Sequence, residues 1–273
     1  MLFAIGCNSS RLCAVATGVP QGALNTDMQG IFISELLEPA ELRAFSNTCG
    51  IELIRFSIAG ELDRLADAIS EVDYTCPLAV HGPFLDLNPA TWDSEVRRVT
   101  MLRFHQAWAA ARALGAVKLV LHTGFMPRAN TIEGWAPRVA DFFGEFLQCH
   151  DDMPIALENV LDPLWEPMLE VWQRVRHPNF GLCLDVGHAH CYSSQPATAW
   201  AEGLLPALTH IHLHDNHGPR PLSAIADEHL ALGDGTLPLM PLMAVLRQRD
   251  DLTYTIECAS KDGVLRSIEA LLA

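Results

Sequence analysis

From residue 50 onward, short apolar runs rich in Val, Ile and Leu alternate with longer stretches of helical periodicity, and no other feature constrains the fold as tightly. The runs are "IELIRFS", "PLAVHG", "VKLVLHTG", "PIALEN", "FGLCLDVGH", "THIHLHD" and "LTYTIE". Between them lie "WDSEVRRVTMLRFHQAWAAARALG", closed by Gly115, "APRVADFFGEFLQCH", and "PLWEPMLEVWQRVRHP", which stops at Pro178. Such alternation predicts parallel strands joined by crossover helices. With "LFAIGCN" as the first strand the count is eight. Eight units in about 250 residues make an α/β (β/α)8 barrel, read as one domain over residues 1–273. Residues 9–36 fit this scheme poorly and read as a hairpin or lid inserted after the first strand, with "EPAELRAFSNTCG" as the first outer helix.

Six of the runs end alike, in an apolar stretch followed by a residue able to bind a metal: His81, His122, Glu158, Asp185 with His188, His212 or His214, and Glu257. In a barrel all C-terminal strand ends open on one mouth, so these residues converge although they are far apart in sequence. Carboxylates buried there are costly unless paired or metal-bound. The imidazole and carboxylate set, without sulfur, predicts divalent ions of the Zn, Mn, Fe or Co type. In "THIHLHDNHG", His210, His212 and His214 share one face of a strand, so alternation alone does not choose among them. Downstream, "DEHLALGDG" places Asp227 and His229 two residues apart, where an extended loop turns both toward one ion.

With these residues assembled, the chain resembles the xylose isomerase-like barrel superfamily, and within it the endonuclease IV group (family 2 of the apurinic-site endonucleases). The resemblance runs from about residue 50 to the end and rests on "HGPF", "HTG", "LEN", "DVGH", "HLHD", "DEHLALGDG" and "IE". It implies a three-metal centre. His81, His122 and Glu158 hold the first ion, and Glu158 bridges to a second completed by Asp185, His212 and Glu257. His188, Asp227 and His229 hold the third. In this register His212 is the ligand of its strand, and His214 falls to a supporting or substrate role. His210 is expected to pack lower in the barrel and His217 to sit on a solvated rim.

The implied activity is phosphoester hydrolysis at a multinuclear Zn or Mn centre, on a small sugar-phosphate-like substrate. The superfamily's sugar isomerases and epimerases imply a one-ion alternative. There Glu158, Asp185, His212 and Glu257 hold the ion, the two glutamates transfer protons, and His188 contacts a sugar oxygen. A third reading is an abasic-site DNA endonuclease, with Phe84 and Leu85 as the wedge. Against DNA stand a formal charge of −15, Asp86 beside the wedge, and the short "RFSIAGELDRL", which leaves little room for a DNA-penetrating loop. Candidate substrate contacts are Phe84, His214 and the cations Arg55, Arg128, Arg220 and Lys261. No apolar run reaches the roughly 18 residues of a membrane span, and the start lacks a secretory pattern. Eight cysteines without a CxxC pair read as reduced thiols of a cytoplasmic protein.

Overall fold

The computed structural model describes Met28, residues 30–220 and residues 226–273. Eight parallel strands close into a barrel in chain order: β1 (Ile31–Ser34), β2 (Gly50–Leu53), β3 (Leu78–His81), β4 (Lys118–His122), β5 (Ile155–Glu158), β6 (Phe180–Asp185), β7 (Leu208–Leu213) and β8 (Thr253–Ile256). The barrel expectation holds, with one correction. The first strand is "IFIS", inside the stretch read as an insertion, and it pairs with both β2 and β8 to close the ring. "LFAIGCN" lies outside the described residues, as does most of the 9–36 range. The misreading has a physical source: a four-residue strand is too short to show a period of its own, and it follows Gly30 at φ +92° like the arm of a turn.

The helices form where the sequence signals them. Ser94–Ala113 begins at Asp93, whose carboxylate accepts from the backbone N–H groups of Glu95 (2.8 Å) and Val96 (3.1 Å). It ends beside Gly115 at φ +65°. Trp135–Leu147 and Glu166–Val175 follow, and Pro39–Phe45 is the first described outer helix. Their apolar faces meet the outward residues of the strands, such as Ile51, Leu119, Leu157, Leu182 and Ile211, in one continuous core.

The strands' inward residues are of another kind. Among the described residues Val120, Ala156 and Cys183 form a small apolar cluster inside the ring. Below and beside it, buried, lie Lys118, Glu52, His210 and Thr255. Strand β7 reaches this arrangement through a register shift: Leu182 pairs with Leu208, but Cys183 pairs with His210. The extra residue, Thr209, is exposed, and the shift re-aims the rest of the strand so that Ile211 and Leu213 join the outer core while His210 and His212 point inward. Gly181 permits the bulge, since a Cβ there would lie 2.3 Å from the Thr209 side chain.

Candidate metal centre at the barrel mouth

The barrel register brings the expected ligands side by side. His122 is the neighbour of Glu158 across β4–β5, and Asp185 is the neighbour of His212 across β6–β7. All nine candidates meet at the C-terminal mouth in three adjoining groups.

In the first group, His81 Nε2 and His122 Nε2 each lie 3.2 Å from Glu158 Oε2 and 2.9 Å from one another. His81 Nδ1 is 2.9 Å from the carbonyl of Gly82 and therefore donates to it, so its Nε2 offers a lone pair to the centre. Phe84 stacks on His122 at 4.4 Å and meets His81 edge-on, holding both rings. Burial pushes His122 down to about 4, whereas the Glu158 carboxylate outweighs burial at His81 and raises it.

In the second group, His212 Nδ1 faces three carboxylates: Glu158 Oε1 at 3.1 Å, Glu257 Oε1 at 3.5 Å and Asp185 Oδ2 at 3.9 Å. Glu158 thus touches both groups, one oxygen to each. Burial raises the Glu257 carboxyl, while at Glu158 the cationic pull of His212 and His122 overcomes burial and lowers it.

The third group centres on Asp227 Oδ2, 3.3 Å from His188 Nε2 and 3.2 Å from His229 Nε2. Here too the remote nitrogens are committed. His188 Nδ1 donates to the Asn159 carbonyl (3.0 Å) and His229 Nδ1 to the Glu257 carbonyl (3.0 Å). These are the three side chains that the sequence reading assigns to one ion, and the fold brings them together.

These contacts fit metal binding on their own terms. Histidines that ligate metals donate their other ring N–H to a carbonyl or carboxylate, which fixes the tautomer. His81, His188 and His229 all do so. Their Nε2 atoms then converge on carboxylate oxygens, an arrangement that is repulsive unless a cation or an added proton lies between. Buried His214 Nδ1 and Asp227 Oδ1 also lack hydrogen-bond partners. Cys183 lies close to His212 and Glu158, but burial pushes its thiol up to about 12, so it stays a neutral part of the floor.

Supporting residues surround these groups, and apart from His214 they escape the sequence reading. His214, expected near substrate or behind the ligands, is completely buried, and its Nε2 contacts both oxygens of Asp185 at 3.0 and 3.2 Å. It holds a ligand. It fits there because residue 187 is glycine; a Cβ would lie 2.0 Å from its ring. Asp215 binds no group of the centre. Instead its carboxylate accepts from the N–H groups of Gly233 (2.9 Å), Gly235 (3.1 Å) and Leu237 (3.0 Å), anchoring the loop that carries Asp227 and His229. Gly235 is required by this packing, since a Cβ would stand 2.3 Å from Asp215 Oδ1. Asn159 clasps both backbone groups of Asp185 at 2.9 Å, joining the ends of β5 and β6. Most consequential is Glu52, fully buried on β2 and 3.1 Å from His212 Nε2. A lone acidic residue inside "IELIRFS" is its only sign in the sequence.

Above the centre opens a cavity of about 550 Å³, a size suited to a small molecule. Phe84, Leu85, Leu36, Ile54, Met126, Val160 and Tyr192 form much of its wall, and among the described residues no lysine or arginine lines it. Of the candidate substrate contacts, Phe84 is therefore in place, while His214 lies behind Asp185. Arg55 is clamped by Glu35 through Nε (2.8 Å) and its own backbone N–H (3.1 Å). Arg220 pairs with Glu228 at 3.0 Å, Lys261 opens the last helix, and Arg128 sits on an exposed loop. His210 and His217 take the expected places, one buried lower in the barrel and the other on the rim beside Glu228 at 2.9 Å.

Comparison with known proteins agrees with the fold. The family described as xylose isomerase-like TIM barrel matches residues 45–273. An uncharacterized protein of Methanocaldococcus jannaschii is 29% identical over 192 residues, covering 64% of this chain and 61% of the relative. A probable endonuclease 4 of Mycobacterium leprae is 26% identical over 187 residues, covering 63% and 69% respectively. Among solved structures, a Thermus thermophilus protein soaked with zinc chloride superposes with a TM-score of 0.71 at 25% identity, over 89% of this chain and 97% of that one. A D-tagatose 3-epimerase-like protein gives 0.70 at 22% identity, covering 89% and 96%, a likeness of fold.

Proposed function

Given that the chain belongs to the xylose isomerase-like TIM barrel family, we propose that it is a divalent-metal-dependent phosphoester hydrolase with a multinuclear centre, acting on a small substrate. The observation that carries this reading is the placement of Asp227 between His188 and His229, together with His81 and His122 on Glu158. A single-ion site uses Glu158, Asp185, His212 and Glu257 with His188 on the substrate, and would leave His81, His122, Asp227 and His229 without a role.

His81, His122 and Glu158 would hold one ion, Glu158, Asp185, His212 and Glu257 a second, and His188, Asp227 and His229 a third. Divalent zinc or manganese bound there would supply Lewis acidity, neutralising charge on phosphoryl oxygens and activating water. The chain's own groups do the remainder. Glu158 fixes the separation of the first two groups by giving each one oxygen. Phe84 holds two ligand rings and shields them from bulk water. Because no described cation lines the cavity, the substrate's charge is met at the centre alone, and its remaining portion rests on apolar wall. That wall and the formal charge of −15 disfavour duplex DNA.

The one-ion isomerase or epimerase reading keeps a specific observation in its favour: three carboxylates crowd His212 Nδ1, with Glu158 and Glu257 both beside it. Metal analysis of the zinc-loaded chain with parallel assays separates the two. More than one ion per chain and turnover of small phosphomonoesters or phosphodiesters support hydrolysis. One ion, no such turnover, and solvent-deuterium incorporation into sugars would transfer the assignment to the epimerase reading.

A further inference from the structure

Among the five candidate histidine ligands, three anchor the ring nitrogen that faces away from the centre in the same way. His81, His188 and His229 each donate from Nδ1 to a backbone carbonyl, of Gly82, Asn159 and Glu257 respectively. His212 is turned the other way. Its Nδ1 faces the carboxylates of the centre, and its Nε2 points down into the floor of the barrel, where the strand carbonyls are engaged in the closed ladder. What lies there is Glu52 Oε1, at 3.1 Å.

We propose that Glu52 is a positioning residue for the metal centre: its carboxylate takes the Nε2–H of His212 and thereby fixes the tautomer that presents Nδ1 to the ion. The inference rests on the metal-centre reading above. Both atoms are buried and face one another at 3.1 Å, short of hydrogen-bond alignment, and neither has any other hydrogen-bond partner. Leaving two such buried polar atoms unpaired costs free energy on both sides, and a small rotation of either side chain pairs them.

The remainder of the floor prepares Glu52 for this task. The Lys118 ammonium donates to His210 Nδ1 at 3.1 Å, which obliges His210 to carry its proton on Nε2. That Nε2–H donates to Glu52 Oε2 at 3.1 Å, and the Thr255 hydroxyl donates to the same oxygen. Oε2 is thus occupied from two sides while Oε1 is left for His212. A carboxylate held in this way cannot rotate away from the ring it orients. The chain of contacts runs from Lys118 through His210 and Glu52 to His212, a buried polar column beneath the ligands.

The test uses the full-length chain loaded with zinc and titrated with a competing chelator, with the thermal midpoint as a check on folding. Glu52→Leu, which fills the space without an acceptor, should weaken retention of the most tightly coupled zinc by about 10–100-fold. Glu52→Gln, which keeps a carbonyl oxygen, should restore most of that loss. Nitrogen-15 NMR of the histidine rings in the zinc-loaded wild type should show His212 protonated on Nε2. Wild-type zinc affinity in a folded Glu52→Leu variant would overturn the proposal, as would a His212 ring protonated on Nδ1. Should Glu52→Leu not fold, the NMR result and the Glu52→Gln titration decide by themselves. Failure of the wild type to bind zinc at all would be a different result, removing the metal-centre reading and this inference together.

Discussion

The two sides of the barrel wall obey opposite chemistry. Outside, Ile51, Leu119, Leu157, Leu182 and Ile211 meet helices in an apolar layer that contains Phe104, Phe142, Phe143 and Phe146. Inside, the same strands contribute Glu52, Lys118, His122, Glu158, Asp185, His210, His212 and Thr255, with a three-residue apolar cluster among them. The outer layer supplies the free energy of folding by removing apolar area from water. The inner column is largely satisfied by hydrogen bonds among its own side chains and ends upward in a set of candidate ligands that protein contacts alone leave incompletely paired. Stability and function are therefore separated by the thickness of one strand, and alternation of side chains along it is what keeps them apart.

The largest expected effect tests the inner side. Glu158→Ala removes the carboxylate that gives one oxygen to each of two ligand groups. It should lower any phosphoesterase kcat/KM by at least about 1000-fold, roughly 4 kcal/mol, and reduce the zinc content, with the circular dichroism spectrum unchanged. A loss of less than about tenfold, measured at saturating zinc, would mean that the chemistry resides elsewhere.

Phe143→Ala is the counterpart on the outer side. Phe143 is fully buried among Phe104, Phe142, Phe146 and Phe180. Its truncation should cost about 3–5 kcal/mol in denaturant unfolding while zinc stoichiometry stays at the wild-type value. If zinc is lost in proportion to stability instead, the two sides are coupled and the separation fails.

The two sides also differ in how much of them the sequence discloses. The outer side announces itself through periodicity: Ser94–Ala113 is bounded by Asp93 and Gly115, and the strand runs are dense in Val, Ile and Leu. The residues gathered at the mouth are legible because most of them close such a run, and the family resemblance is what singles out His212 as a candidate from three same-facing histidines. Hidden are the groups whose role depends on partners distant in sequence. Glu52 acquires meaning only when β2 and β7 face across a closed ring, and Asp215 only when the Gly233–Leu237 backbone folds over it. The cations mislead for the same reason: nothing in "IRFS" shows that Glu35 clamps Arg55. The first strand is misplaced because "IFIS" is four residues long and carries no ligand to mark its end.

Metal removal exposes the inner side to pH. In the metal-free fold, burial alone would lower His229, but Asp227 and Glu257 raise it to about 9 from an ordinary 6.5. The same direction holds for His81, His188 and His212. A proton thus stands where the proposed cation would sit. The stabilisation from His229 is complete below about pH 6.5 and is lost as pH rises through about 9, since the unfolded chain gives up that proton first. The Tm of chelator-treated protein should therefore fall between those values, whereas zinc-loaded protein should hold its Tm and release protons on loading. Parallel pH profiles for the two forms would contradict this.

The smallest effect separates two depths within the inner side. Lys118 sits at the foot of the column, its ammonium contacting His210 Nδ1 and the hydroxyl of Thr253, and burial pushes it down to about 8, so it remains charged at neutral pH. Lys118→Met keeps the volume and removes a buried charge whose desolvation is itself unfavourable, but leaves His210 Nδ1 with Thr253 alone. The relief and the loss partly cancel, giving about 1–2 kcal/mol of destabilisation. Zinc affinity should change by less than about threefold, because Thr253 still holds the His210 ring and Glu52 still faces His212. A larger change in affinity would show that the orientation of His212 is set from the bottom of the column rather than at Glu52, and urea unfolding alongside chelator titration on this one variant reads both quantities.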